Sequence, residues 1–228
     1  MLVEQKENVM IAGNLLSQSI IPLKTSDTGE EALSVMSDYY VKHLPIVNNQ
    51  QLLGLISEED ILDHDVLEPL GSYDLSLNRP YAQADDHIYK VLHLVSEYKL
   101  TVIPVVDKED NYMGVISQDD LLRFFASIGS FTEPGSIIVL EMSKIDYTLT
   151  QIAQIVESEQ AVVLSSFITS ALDSTQIDVT IKINKPEVNR IIASFERFDY
   201  KVKASFQEAK YFDSLKDRFD MLMTYLNV

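Results

Sequence analysis

Leu44-Pro45-Ile46-Val47, followed by Leu53-Gly54-Leu55-Ile56-Ser57-Glu58-Glu59-Asp60-Ile61-Leu62, returns further along as Ile103-Pro104-Val105-Val106 and Met113-Gly114-Val115-Ile116-Ser117-Gln118-Asp119-Asp120-Leu121-Leu122. The offset is 59 for the first part, from Asp38 against Glu97 onward, and 60 for the second, so one residue is inserted between them. A self-similarity of this length fixes the organisation of the region before any single element is assigned. Before each apolar-Pro-apolar-Val run the spacing predicts an amphipathic helix, with Ala32, Val35, Met36 and Tyr39 on the buried face of one and Ile88, Val91, Leu92, Val95 and Tyr98 on that of the other. The runs themselves are too short for helices. Each leads through a polar turn, Asn48-Asn49-Gln50 or Asp107 to Asn111, into a second apolar run, which predicts a β-hairpin. Ser-x-x-Asp then opens a second helix in each copy.

Read from the residues alone, Ser57 and Ser117 stand at helix N-termini, where unpaired N–H groups and the positive end of the helix dipole can hold a phosphate. Asp60 and Asp120, as acceptor-only carboxylates, can take ribose hydroxyls. A serine followed three residues later by an acid is equally a helix cap, worth about 1 kcal/mol with no ligand. Both readings stand at this point.

The doubled pattern of hairpin, Ser-x-x-Asp and helix resembles a tandem pair of cystathionine-β-synthase (CBS) domains, the Bateman module, over roughly residues 12–126. We place the repeats at 12–68 and 72–128. The resemblance implies sheets packed about a pseudo-twofold axis, with two clefts for adenine nucleotides or S-adenosylmethionine. It implies phosphate and ribose roles for Ser57, Asp60, Ser117 and Asp120. It also puts His43, Thr101 and Val102 against the base, through side chain or backbone. Arg79, before Pro80, is a candidate phosphate contact, with an exposed turn arginine as the plainer reading. Near the clefts the basic residues are few (Lys24, Arg79, Lys42), and Glu58, Glu59 and Asp119 crowd the motif helices. A triphosphate would need Mg²⁺ to offset that field, so AMP, ADP or S-adenosylmethionine is favoured over ATP.

Gly129 and Pro134-Gly135 punctuate the chain after the second copy. Beyond them the periodicities read Ile137 to Met142 strand, Leu149 to Val156 helix, Ala161 to Thr169 and Ile177 to Ile183 strands, Val188 to Phe198 helix, Tyr200 to Ala204 strand. The order βαββαβ over 136–205 predicts a ferredoxin-like fold, so the chain is of the α+β class. Following a CBS pair, such a domain resembles an ACT domain, and the combination resembles the acetoin-utilisation type of CBS–ACT protein. Members that bind an amino acid usually carry a glycine in the first strand-to-helix turn. Here that turn reads Ser143-Lys144-Ile145-Asp146-Tyr147-Thr148, and a domain that pairs chains is the alternative. From 207 to 227, Phe212, Leu215, Phe219, Leu222 and Leu226 recur at intervals of 3 and 4, the stripe of an amphipathic helix that could dock on its own domain or on a partner.

Composition sets the remaining bounds. The chain has 228 residues, 46% hydrophobic and 23% charged, an ordinary globular mix. Its 18 basic against 35 acidic side chains give a charge of −17, which repels nucleic acid and anionic lipid. The excess is uneven, with 8 basic and 21 acidic residues up to 130 and 10 and 14 beyond. Cysteine is absent, which removes disulfides, thiolate nucleophiles and Cys-ligated metals. The start of the chain lacks signal-peptide features and no run reaches the roughly 20 apolar residues of a membrane span, so a cytoplasmic protein is expected. The four histidines (His43, His64, His87, His93) fall in no metal-binding or catalytic spacing, and P-loop, Gly-x-Ser-x-Gly and His-Glu-x-x-His motifs are missing. The expectation is a regulatory, non-catalytic homodimer with no required cofactor, sensing an adenosine-containing small molecule (AMP, ADP, ATP or S-adenosylmethionine). The alternatives are a ligand-free adaptor for an enzyme or transporter, and an accessory subunit completed by another protein.

Overall fold

In the computed structural model the first helix, α1 (Gly29–Tyr39), starts where Thr28 accepts a hydrogen bond from the Glu31 N–H and the Glu31 carboxylate accepts one from the Thr28 N–H. The structure describes residues 10–17, 19–73, 80–171, 174–207, 221–223 and 225. These divide into two compact units, Met1–Ala126 and Ser127–Val228.

In the first unit α1 is followed by the hairpin β1 (His43–Asn48) and β2 (Gln51–Ser57), then the short helix α2 (Glu58–Leu62). The second copy repeats this as α3 (Ile88–Glu97), β4 (Val102–Val106), β5 (Tyr112–Ser117) and α4 (Gln118–Ser127), with a two-residue strand β3 (Ala82–Gln83) parallel to β4. Leu23 makes the matching parallel bridge to Ile46 in the first copy. Both hairpins carry a register shift at the same place, Ile46/Val47 and Val105/Val106. The inserted residue falls in the second turn.

The two copies are interlocked rather than beaded. Ala12 and Gly13 donate to the carbonyls of Asp86 and Ala84 in the second copy, while Leu70 and Gly71 donate to those of Asp27 and Thr25 in the first. A Cβ on Gly13 would stand 3.1 Å from the Ala84 oxygen and one on Gly71 2.9 Å from that of Thr25, so the lead-in to each copy needs a residue without a side chain there. The cores interpenetrate too. Val102 and Val115 pack with Leu44, Ile46 and Ile56, and Leu55 packs with Ile103, Val105 and Ile116.

The second unit holds a short helix, α5 (Gly129–Thr132), then β6 (Ser136–Ser143), α6 (Leu149–Ser158), β7 (Val163–Thr169), β8 (Gln176–Ile183), α7 (Asn189–Arg197) and β9 (Lys201–Phe206). Its sheet runs β7-β8-β6-β9 with every neighbouring pair antiparallel, the ferredoxin-like arrangement. Alternation along β6 and β8 is strict: Ile138, Leu140, Val179, Ile181 and Ile183 are fully buried under Ile152, Val156, Ile191 and Phe195 of the two helices. The expected C-terminal stripe lies outside the described residues except at Leu222, which is helical.

Candidate functional site

The structure builds the same corner at both Ser-x-x-Asp motifs. At the first, the Ser57 hydroxyl accepts from the Asp60 N–H at 3.1 Å, while Asp60 Oδ2 accepts from the Ser57 N–H at 2.9 Å and its hydroxyl at 2.7 Å. At the second, the corresponding distances for Ser117 and Asp120 are 3.0, 3.0 and 2.6 Å. In both corners the bonds accepted by the aspartate fall on Oδ2, and Oδ1 takes part in none of them. A carboxylate offers about four acceptor positions. The cap uses two of them.

Ser117, Asp120 and Thr101 come together in one cleft of about 220 Å³, whose walls include Ser17, Ile20, Tyr39, Tyr40, Gln118 and Arg123. Drug-sized ligands occupy pockets of roughly 300 Å³ and upward, somewhat more than this cleft encloses. Arg123, one of the lining residues, is mostly exposed and lies 3.4 Å from Asp119 one turn away on α4. Tyr40 is 95% exposed and holds a left-handed backbone (φ 54°) at the end of α1. Such a conformation costs a non-glycine residue about 1–2 kcal/mol, and here it sets a phenol at the rim.

His43 and Val102 do not join that cleft. His43 pairs with Ser57 across the β1–β2 hairpin, and its ring turns to Thr101, 58 residues on. The Thr101 N–H donates to His43 Nδ1 at 3.3 Å and the Thr101 hydroxyl lies 3.1 Å from the same nitrogen. That hydroxyl accepts from the Lys42 N–H at 2.8 Å. Because an amide N–H only donates, Nδ1 is an acceptor and the ring proton sits on Nε2. Burial holds the imidazole below its ordinary pKa of 6.5, against the opposing pull of Asp60 and Glu59. Val102 is fully buried in the first core, so only its backbone is available to a ligand. Arg79 lies outside the described residues.

Sequence reasoning missed Arg123, Gln118, Tyr40 and Ser17 as cleft residues. Arg123 was within reach of it, since position i+3 from Asp120 shares a helix face with the motif. Tyr39 and Tyr98 were expected on buried helix faces and are instead 37% and 42% exposed, because each ends its helix beyond the edge of the core. Of the other histidines, His64 stacks on Tyr73 at 4.5 Å, His87 caps α3, and His93 lies 3.4 Å from Glu97 on an exposed face. Among the described residues no group of three or more His, Asp or Glu side chains is placed to hold a metal ion, and no helix is long and apolar enough to cross a membrane.

Residues 12–66 and 74–127 each match the family model of the CBS domain, and this part of the chain is a tandem CBS-domain pair. Two relatives are an inosine-5'-monophosphate dehydrogenase from Methanocaldococcus jannaschii, 26% identical over 122 residues, and a homoserine O-acetyltransferase from Methanococcus vannielii, 28% identical over 117. The matches take in 53% and 49% of this chain but only 25% and 24% of those enzymes. Among solved structures, a CBS domain pair/ACT domain protein from Thermotoga maritima is 26% identical with a TM-score of 0.46, over 51% of this chain and 96% of that one. CBSX2 in complex with AMP is 19% identical (TM-score 0.45, 52% and 97%). The CBS pair of MJ0100 in complex with 5'-methylthioadenosine and S-adenosyl-L-methionine is 24% identical (0.41, 50% and 98%).

Proposed function

We propose that this chain is a regulatory, non-catalytic protein whose CBS pair binds an adenosine-containing metabolite in the cleft at Ser117 and Asp120. AMP, ADP and S-adenosylmethionine are favoured over ATP. The observation that carries the reading is the position of Asp120. It caps α4 through Oδ2, with no hydrogen bond to Oδ1 among the described residues, at a cleft that also holds Thr101, two tyrosine rings and one arginine. The tyrosine rings offer π faces to a base and Arg123 a cation to a single phosphate group. Asp119 and the overall charge of −17 oppose a third phosphate. We assign the protein to the cytoplasm and take it to act as a homodimer that passes occupancy of the cleft to a protein target. Coupling of this kind needs a ligand that prefers one of two conformations.

A thermal-shift series with AMP, ADP, ATP with and without Mg²⁺, and S-adenosylmethionine tests the reading. A ligand at 100 times its Kd adds about 2.7 kcal/mol, or several degrees at roughly 2–4 °C per kcal/mol for a chain of this size. Should the whole series leave the midpoint unmoved at millimolar ligand, the cleft is an empty capped corner and the protein an adaptor.

A further inference from the structure

Thr101 is tied through three polar groups. Its carbonyl accepts from the Gln118 N–H at 3.0 Å, its hydroxyl accepts from the Lys42 N–H at 2.8 Å, and its own N–H donates to His43 Nδ1 at 3.3 Å. Thr101 and Gln118 both line the cleft at Ser117 and Asp120, whereas His43 belongs to the first copy and stands half-buried outside it. Two of the three ties join groups that do not titrate. The third ends on an imidazole, the side chain whose charge changes near neutral pH.

That tie works in one protonation state only. Nδ1 has a single lone pair, which receives the Thr101 N–H while the ring is neutral with its proton on Nε2. A second proton goes to Nδ1, and two N–H groups then face each other. The Thr101 hydroxyl, 3.1 Å from Nδ1, can take the new N–H, because its oxygen has two lone pairs and Lys42 fills one. The Thr101 N–H loses its acceptor, and a donor left unpaired in a half-buried wall is costly. Turning that peptide to find another partner displaces Thr101 in the wall and disturbs its tie to Gln118, beside the Ser117 cap. Asp60 and Glu59 of α2 face the ring and favour its charge, while Lys42, just before β1, and burial oppose it. Burial prevails, so the ring stays neutral below its ordinary pKa of 6.5.

We propose that His43 is a positioning residue for the cleft at Ser117 and Asp120: as a neutral acceptor it fixes Thr101 in the wall, and on taking up a proton it loosens that wall and weakens the ligand. The role rests on the adenosine site proposed above, and adds that a side chain of the first copy governs binding at the motif of the second. The linkage is reciprocal. An occupied cleft holds His43 neutral to lower pH.

Adenosine is the probe, since it has no phosphate to titrate in this range and no charge for an imidazolium to attract. NMR of the full chain follows the His43 ring and the Thr101 amide through a pH titration, with and without adenosine, and calorimetry gives the adenosine Kd at the same pH values. The Thr101 amide should shift with the His43 midpoint, and Kd should rise about threefold to tenfold across it, the effect of one hydrogen bond. Saturating adenosine should lower that midpoint by about half a pH unit to one unit, the same linkage measured from the other side. His43→Asn supplies an acceptor that does not titrate and should bind adenosine at full strength with no step at this pH, whereas His43→Ala should bind about threefold to tenfold more weakly throughout. Circular dichroism checks that both variants are folded; if either is not, the titration of the unsubstituted chain decides alone. A Kd that stays flat across the His43 midpoint overturns the proposal and leaves the adenosine site standing, and so does a step that persists in His43→Asn. If adenosine binds at no pH, the site itself falls, and the ligand-free titration decides the positioning role: Thr101 and Gln118 amides that move with His43 support it, and amides that do not overturn it.

Discussion

At Ser57 the helix cap closes with bonds of 2.9, 2.7 and 3.1 Å, and at Ser117 with 3.0, 2.6 and 3.0 Å, yet the two corners stand in different surroundings. The first opens a helix of 5 residues, the second one of 10. At the offsets of 59 and 60, Glu58 is replaced by Gln118, Asp63 by Arg123, Lys42 by Thr101 and Lys99 answers Tyr40. Glu58 spends itself on Lys42 at 3.6 Å, whereas the Gln118 amide donates to the Leu100 carbonyl at 2.8 Å without adding a charge. The cap is thus a requirement of the fold, met alike in both copies. What differs is the field around it, and the Ser117 corner has exchanged two carboxylates for an amide and a guanidinium.

The sharpest way to break this comparison is to remove each aspartate in turn. Asp60→Ala and Asp120→Ala should each lose about 1 kcal/mol of cap stability, but only Asp120→Ala should abolish the ligand stabilisation of about 2.7 kcal/mol at 100 times Kd. The reverse pattern in a thermal-shift assay would make the Ser57 corner the binding site.

A smaller effect is expected at the joint between the copies. His43→Ala removes the acceptor of two hydrogen bonds and should cost about 1–3 kcal/mol in urea unfolding. The pH dependence follows from the depressed pKa. Below 6.5 the unfolded chain takes up a proton that the folded ring resists, so the unfolded state binds more protons and stability falls with acidification from pH 6.5 toward the lower folded value. His43→Asn keeps an acceptor near the Nδ1 position without titrating there. It should flatten this part of the profile, whereas a slope unchanged in His43→Asn would assign the acid sensitivity to other groups.

The smallest effect sharpens the ligand reading. Arg123→Ala should weaken AMP by less than about 1 kcal/mol, as befits an exposed charge, and leave adenosine unaffected in isothermal calorimetry. An equal loss for both ligands would place Arg123 against the nucleoside rather than the phosphate.

Much of this is legible in the amino-acid sequence. The doubled Pro-apolar-Val and Gly-apolar-Ile-Ser runs showed a repeat because a hairpin and a helix cap leave local marks on a sequence. The βαββαβ order showed itself because a sheet with one buried face must alternate, as Ile138, Leu140 and Met142 do. The cleft was less legible. Tyr39 fits the helical period that marks a core face, but periodicity does not say where the sheet beneath the helix stops. The bond from Thr101 to His43 spans 58 residues and exists only because the two hairpins meet, which no local pattern encodes.

That meeting point makes the two copies unequal. Lys42 and Thr101 are the same position in the two copies, as are His43 and Val102, and yet the Lys42 N–H donates to the Thr101 hydroxyl and the Thr101 N–H donates to His43. A chain made of two first copies would set a lysine where the threonine hydroxyl now bridges. One made of two second copies would have no imidazole to receive it. The halves are therefore complementary at this spot, each supplying what the other lacks, and neither can be exchanged for a duplicate of its neighbour without undoing the seam.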